Sequence, residues 1–194
     1  MKLASQYDRI HQGGAELAAV SVDDDVRQAG MAERWGFTHT TFVSDPGGER
    51  YLQPLELFDP EERGGIALPG MVIVDPDGHE VYRYQGRDFA DRTNDDDIWA
   101  TLDAFALAPI DPPGWTSDVN VPDDLRGYFR PADFGAYFRG NMFGAVAIGR
   151  RVHDDESRAL AKEHREMSRS NLEAWETWQP HAVTRITSGV RPAM

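Results

Sequence analysis

The 194-residue chain contains no cysteine. That absence excludes disulfides, thiolate metal sites and any cysteine nucleophile within these residues. Lysine is nearly missing as well: Lys2 and Lys162 are the only two, so arginine supplies almost all the positive charge. Positive charge is itself scarce, with 20 Lys and Arg against 33 Asp and Glu, a formal net charge of −13. Nucleic acid and anionic membrane are polyanions that repel such a chain, so neither is expected as a partner. No apolar run approaches the roughly 20 residues of a membrane-spanning helix. The opening "MKLASQYDRIHQGG" lacks the apolar stretch of a signal peptide, and a soluble cytoplasmic protein is the expectation. The paired glycines at 13–14, 47–48 and 64–65 make no phosphate-binding fingerprint, and no cofactor is expected.

What is present is ordinary for a globular chain: 40% hydrophobic and 27% charged residues in 21.7 kDa. Leu3, Tyr7 and Ile10 fall at helical spacing over residues 2–12, ended by Gly13-Gly14. Leu17 to Val22 is a nearly continuous apolar strand, the pattern of a strand covered on both faces. Asp23 or Asp24 then caps a helix through Val26, Ala29, Met31 and Trp35, stopped by Gly36. "TTFVSD" is a short strand, followed by turns and a helical segment broken at Pro54. Met71–Val74 and Glu80–Tyr84, joined by "DPDG", predict an antiparallel hairpin. "RTNDDDIWATLDAFAL" reads as a capped helix with Ile98, Leu102 and Phe105 on one face. The order up to about Leu107 is α-β-α-β-α-β-β-α.

From Pro109 the texture changes. "APIDPPGWTSDVNVPDD" is Pro-rich and extended, suited to covering a surface. An amphipathic helix runs from about Asp154 to Trp178, with Leu160, His164, Met167, Leu172 and Trp175 as one stripe. The boundary is set near Ala108, giving a sheet domain over 1–108 and a Pro-rich linker with helical extension over 109–194. Tyr128, Phe129, Phe134, Tyr137, Phe138 and Phe143 either line a pocket or pack that extension onto the sheet.

"AELAAVSVDDD", "WGFTHTTFVSDPGG" and "GIALPGMVIVDPDGHEVYRYQGRD", in that order, resemble the thioredoxin-fold redoxins. Within these the chain is most similar to the alkyl hydroperoxide reductase/thiol-specific antioxidant (peroxiredoxin) type, over roughly residues 1–107. The resemblance implies an α/β, thioredoxin-like sheet with flanking helices, and thiol-dependent peroxide reduction or disulfide oxidoreduction. It also implies that Leu68 and Pro69 face the active site, with the Leu68–Pro69 peptide in the cis form.

The departures are chemical. The family needs a peroxidatic cysteine in a Pro-x-x-x-Thr/Ser-x-x-Cys context, or Cys-x-x-Cys in its thioredoxin relatives, and the chain has neither. No arginine stands in "IALPG"; Arg63 is near in sequence only, and Ser21 has no adjacent base. If Ala15–Val22 is the family's second strand, the missing piece is the first, which lies mid-sheet. Its loss strands two rows of backbone groups, each costing about 1–3 kcal/mol when buried, against a domain stability of about 5–15 kcal/mol. Three outcomes follow: a reading frame that starts upstream, direct pairing of the flanking strands, or a segment from elsewhere filling the gap by strand addition. The expectation is a redoxin-like chain inactive toward peroxide; its rival is a non-enzymatic module binding a protein partner or itself, through the sheet edge or the C-terminal helices.

His153, Asp154, Asp155 and Glu156 gather ligand types, but His164 is about three helical turns away, and a solvated helix start explains the cluster. The triplets Asp23–Asp25 and Asp95–Asp97 read as helix capping, not Ca²⁺ loops. No metal site is expected.

Overall fold

A computed structural model describes residues 2–91, 95–123 and 133–188. The chain divides into two compact units, Met1–Tyr128 and Phe129–Met194. The first is mixed α/β. It begins with short helices α1 (Lys2–Ser5) and α2 (Tyr7–Gln12), then strand β1 (Ala18–Ser21), helix α3 (Asp25–Trp35) and strand β2 (Thr41–Ser44). Two-residue strands β3 (Phe58–Asp59) and β4 (Ile66–Ala67) precede β5 (Gly70–Val74), β6 (Glu80–Gln85) and helix α4 (Asp95–Phe105).

Local chemistry fixes most of these limits. Asp24 is the N-cap of α3, its carboxylate accepting from the Arg27 N–H at 2.8 Å. Gly36 ends that helix at φ 67°, a left-handed conformation in which glycine has no Cβ to clash. In the hairpin turn, Asp75 Oδ1 accepts from the N–H groups of Asp77 at 3.0 Å and His79 at 2.8 Å. That ties "DPDGH" into a tight reversal between β5 and β6. The irregular stretch after β2 is organised by Asp45, only 4% exposed. Its carboxylate accepts from the backbone N–H groups of Arg50, Tyr51 and Leu52 at 3.2, 2.8 and 2.9 Å. Burial alone raises the pKa of a carboxyl; here the three donors and the Arg50 charge outweigh it and hold Asp45 below its ordinary value. Phe58 is clasped between two backbones: a Cβ at Gly48 or at Gly65 would come within 2.6 Å of its ring.

The described strands form three separate two-stranded sheets: β1–β2 parallel, β3–β4 antiparallel, β5–β6 antiparallel. Direct pairing of the strands flanking the expected gap therefore does not occur: β1 and β5 are not neighbours in any sheet. They share a core instead. Ile10, Ile98, Trp99 and Leu102 form its buried centre, with Leu17, just before β1, and Met71 and Ile73 of β5 packed against it.

The Pro-rich stretch after Ala108 lies with the first unit. It is extended, as its composition suggests, and is tied down by Ile110 N–H to His11 O at 3.0 Å and Trp115 N–H to Thr38 O at 2.6 Å. Trp115 also packs on Phe42, with ring centroids 5.2 Å apart.

The second unit is a helical hairpin of α5 (Asp133–Gly149) and α6 (Asp155–Ser188). Asp154 caps α6, accepting from the Ser157 N–H at 2.7 Å, and this bond lowers its pKa. Arg158 pairs with Asp155 and donates to the His153 carbonyl at 2.6 Å, so the His153 cluster is a helix start. The expected stripe on α6 holds at Leu172 and Trp175, both buried, but Leu160 is 52% exposed. Ser168, fully buried, belongs to the packed face and breaks the apolar pattern that would have marked it. Phe134 stacks on Trp175 at 4.9 Å, Phe138 is buried, and Phe143 stands out at 71% exposure. Tyr128 and Phe129 lie outside the described residues. Among the described residues, no helix is long and apolar enough to cross a membrane.

Candidate functional site

Leu68 and Pro69 lead into β5. The Leu68 N–H donates to Leu57 O at 2.9 Å, and Pro69 O accepts from the Gly86 N–H at 2.7 Å. The Leu68–Pro69 peptide is trans, correcting the cis expectation. A trans proline at a strand entry sits naturally where its missing N–H is not needed for the ladder. Neither residue lines the cavity of the first unit described below. Arg63 is exposed, its guanidinium 3.9 Å from the Glu62 carboxylate. Ser21 Oγ is occupied structurally, accepting from Gln28 Nε2 at 3.0 Å and the Asp23 N–H at 3.2 Å.

Pro69 does, however, open onto an unpaired strand edge. The register of β5–β6, with Gly86 bonded to Pro69, turns the backbone groups of Met71 and Ile73 toward β6. Those of Gly70 and Val72 point the other way. In the parallel pair, Thr41 N–H to Leu17 O and Asp45 N–H to Ser21 O, both 2.9 Å, set Leu17, Ala19 and Ser21 toward β2. Ala18 and Val20 present the opposite edge. Neither edge is hydrogen-bonded to another described strand. Neither carries a charged residue, the usual device for blocking strand addition, since the strands read AAVS and GMVIV. Sequence patterning located both strands but not their open sides, because a residue's apolarity does not reveal which neighbour its backbone meets.

A second feature is a cavity of about 400 Å³ lined by His11, Glu16, His39, Thr41 and Trp115. Tyr7 stacks on His39 at 4.1 Å, and the His11 and His39 ring centroids are 5.6 Å apart. His11 is 7% exposed, and its Nε2, like Nδ1 of His39, is buried without a hydrogen-bond partner. No short motif links these residues: α2, the approach to β2 and the Pro-rich strap bring them together only in the fold.

A third grouping, Asp75, Asp77 and His79, has ligand atoms within 4.8 Å of one another. The Asp75 carboxylate accepts from the Asp77 and His79 N–H groups, so the grouping follows from the hairpin turn.

Comparison with protein-family models, with curated proteins and with solved structures finds no match to this chain.

Proposed function

We propose that this chain is a redoxin-like unit that works by binding and performs no thiol chemistry. Its first unit would take an extended, apolar segment of a protein partner by strand addition. The observation that carries this is the pair of uncharged edges on β1 and β5 that no described strand pairs; Met71 and Ile73 of β5, and Leu17 just before β1, pack on the Ile10–Trp99 core. A row of unpaired N–H and C=O groups beside an apolar cluster is costly alone and favourable once an added strand satisfies it. The α/β class and the order of elements are compatible with a thioredoxin-like frame lacking its central strand. The absence of cysteine removes the nucleophile on which peroxiredoxin chemistry depends.

Amide hydrogen exchange tests the binding. In the protein alone, the Val20 and Val72 N–H groups exchange fast while Ala19 and Met71 are protected. An alternating Val-Thr octapeptide, used as the strand probe, protects Val20 and Val72. Protection of both before any peptide is added means that the edges are already paired, and the proposal fails. Hydrogen peroxide with dithiothreitol is consumed no faster than in buffer; turnover at enzymatic rates contradicts the loss of thiol chemistry.

A further inference from the structure

We propose that the cavity between α2, the approach to β2 and the Pro-rich strap binds a small organic cation of the amidine or guanidine class, which carries its charge on N–H groups. At about 400 Å³ it falls in the range of roughly 300–1,000 Å³ found for small-molecule sites. Three segments of the first unit build it. His11 comes from α2, His39 and Thr41 from the approach to β2 and its first residue, and Trp115 from the strap. The strap is seated by the Ile110 N–H on His11 O at 3.0 Å and by the Trp115 N–H on Thr38 O at 2.6 Å. Tyr7, one turn before His11, packs on both imidazoles, edge-on to His11 at 5.7 Å and stacked on His39 at 4.1 Å between ring centroids.

The chemistry of the ligand follows from what the walls offer. His11 is only 7% exposed, yet its Nε2 has no hydrogen-bond partner, and Nδ1 of His39 is buried in the same condition. Buried polar atoms are costly when unpaired, and two of them on residues of one cavity mark where a ligand completes the bonding. As the unprotonated nitrogens of neutral imidazoles, both are acceptors and call for N–H donors. Charge gives the sign. Among the described residues lining the cavity there is no lysine or arginine, and Glu16, exposed at its mouth, holds the single formal charge. An anion would meet that carboxylate in a chain of net charge −13, whereas a cation is drawn to both. The flat walls select a delocalised cation over a compact one, since an indole face such as that of Trp115 attracts a cation laid across it. An amidinium or guanidinium offers its in-plane N–H groups to His11, His39 and Glu16 while its faces rest on the rings.

Titration calorimetry of the full chain with benzamidine and with benzoate, flat molecules of similar size and opposite charge, tests this. Benzamidinium is expected to bind more tightly than benzoate by about ten-fold or more, and to shift the His11 Nε2 and His39 Nδ1 resonances in a long-range ¹H–¹⁵N spectrum. Glu16→Gln, at an exposed position where the thermal melt stays unchanged, weakens benzamidinium binding by about ten-fold, the effect of losing a hydrogen bond between charged groups. Asp103→Asn removes an exposed carboxylate on α4 and has no effect, which separates the site from general attraction to an acidic surface. Equal binding of benzoate, or benzamidinium binding that ignores Glu16→Gln or leaves both histidine nitrogens unmoved, overturns the proposal. Uptake of Zn²⁺ with no benzamidinium binding overturns it in favour of a metal site on the same two imidazoles, and binding of neither probe overturns it outright.

Discussion

The two units leave different things unfinished. In the first, short strands and long turns are held by carboxylates that accept backbone N–H groups, as Asp24, Asp45, Asp59 and Asp75 each do. What remains open there is backbone, along β1 and β5. In the second, two helices satisfy most of their own backbone, and what remains open is apolar side chain, along α5. The kind of group left unpaired sets the kind of partner each unit can accept. A backbone edge accepts an extended strand, whereas a side-chain face accepts another helix.

A single substitution costs most in the buried core of the first unit. Trp99 is 6% exposed, with the Arg9 guanidinium 4.1 Å above its ring. Trp99→Ala is expected to cost about 3–5 kcal/mol. Urea denaturation followed by circular dichroism should show the first unit losing that stability while the α5–α6 transition stays in place. A single transition lowered as a whole would mean that the two units unfold as one.

A smaller effect is acid sensitivity. Asp45 is held below its ordinary pKa, as is Asp91, which accepts from Tyr84 Oη at 2.6 Å and from Arg87 Nε at 2.9 Å. A carboxyl with a depressed folded-state pKa contributes its full stability above the unfolded value, and that contribution is lost as pH falls through the folded value. Thermal melts should therefore show stability falling steeply below about pH 4. Asp45→Asn leaves one carbonyl oxygen where a carboxylate served three N–H groups. The variant melts lower at neutral pH, and its acid limb is shallower. An unchanged acid limb shows that Asp45 is not the titrating group. The smallest effect belongs to Arg139 and Glu176, 54% and 58% exposed: Arg139→Ala should change hairpin stability by no more than about 1 kcal/mol in a chemical melt.

What the sequence revealed follows the range of the interactions. Asp24 and Gly36 bracket α3, and "DPDG" turns the β5–β6 hairpin, because caps and turns are decided within four or five residues. The extended Pro-rich segment was legible in the same way. The Asp45 clasp reaches seven residues to Leu52 and has no periodic pattern to betray it. The two-residue β3–β4 ladder is too short for alternation to register. Buried Ser168 mimics a solvent-facing position and hides part of the α6 contact face. The candidate sites were harder still: His11 and His39 meet only through tertiary placement, and the open sides of β1 and β5 depend on register. Leu68 and Pro69 were placed by resemblance, and the geometry assigns them to a strand entry.

The clasp around Phe58 bears on how this sequence can diverge. Gly48 and Gly65 lie 17 positions apart, yet each is confined to hydrogen by one ring, at 2.6 Å from where a Cβ would stand. Both also hold positive φ, 74° and 118°. A side chain at either glycine evicts the ring, and a smaller residue at 58 leaves both backbones facing a void. The three positions thus form a single heritable unit, to be exchanged together or kept together in any descendant that retains this loop.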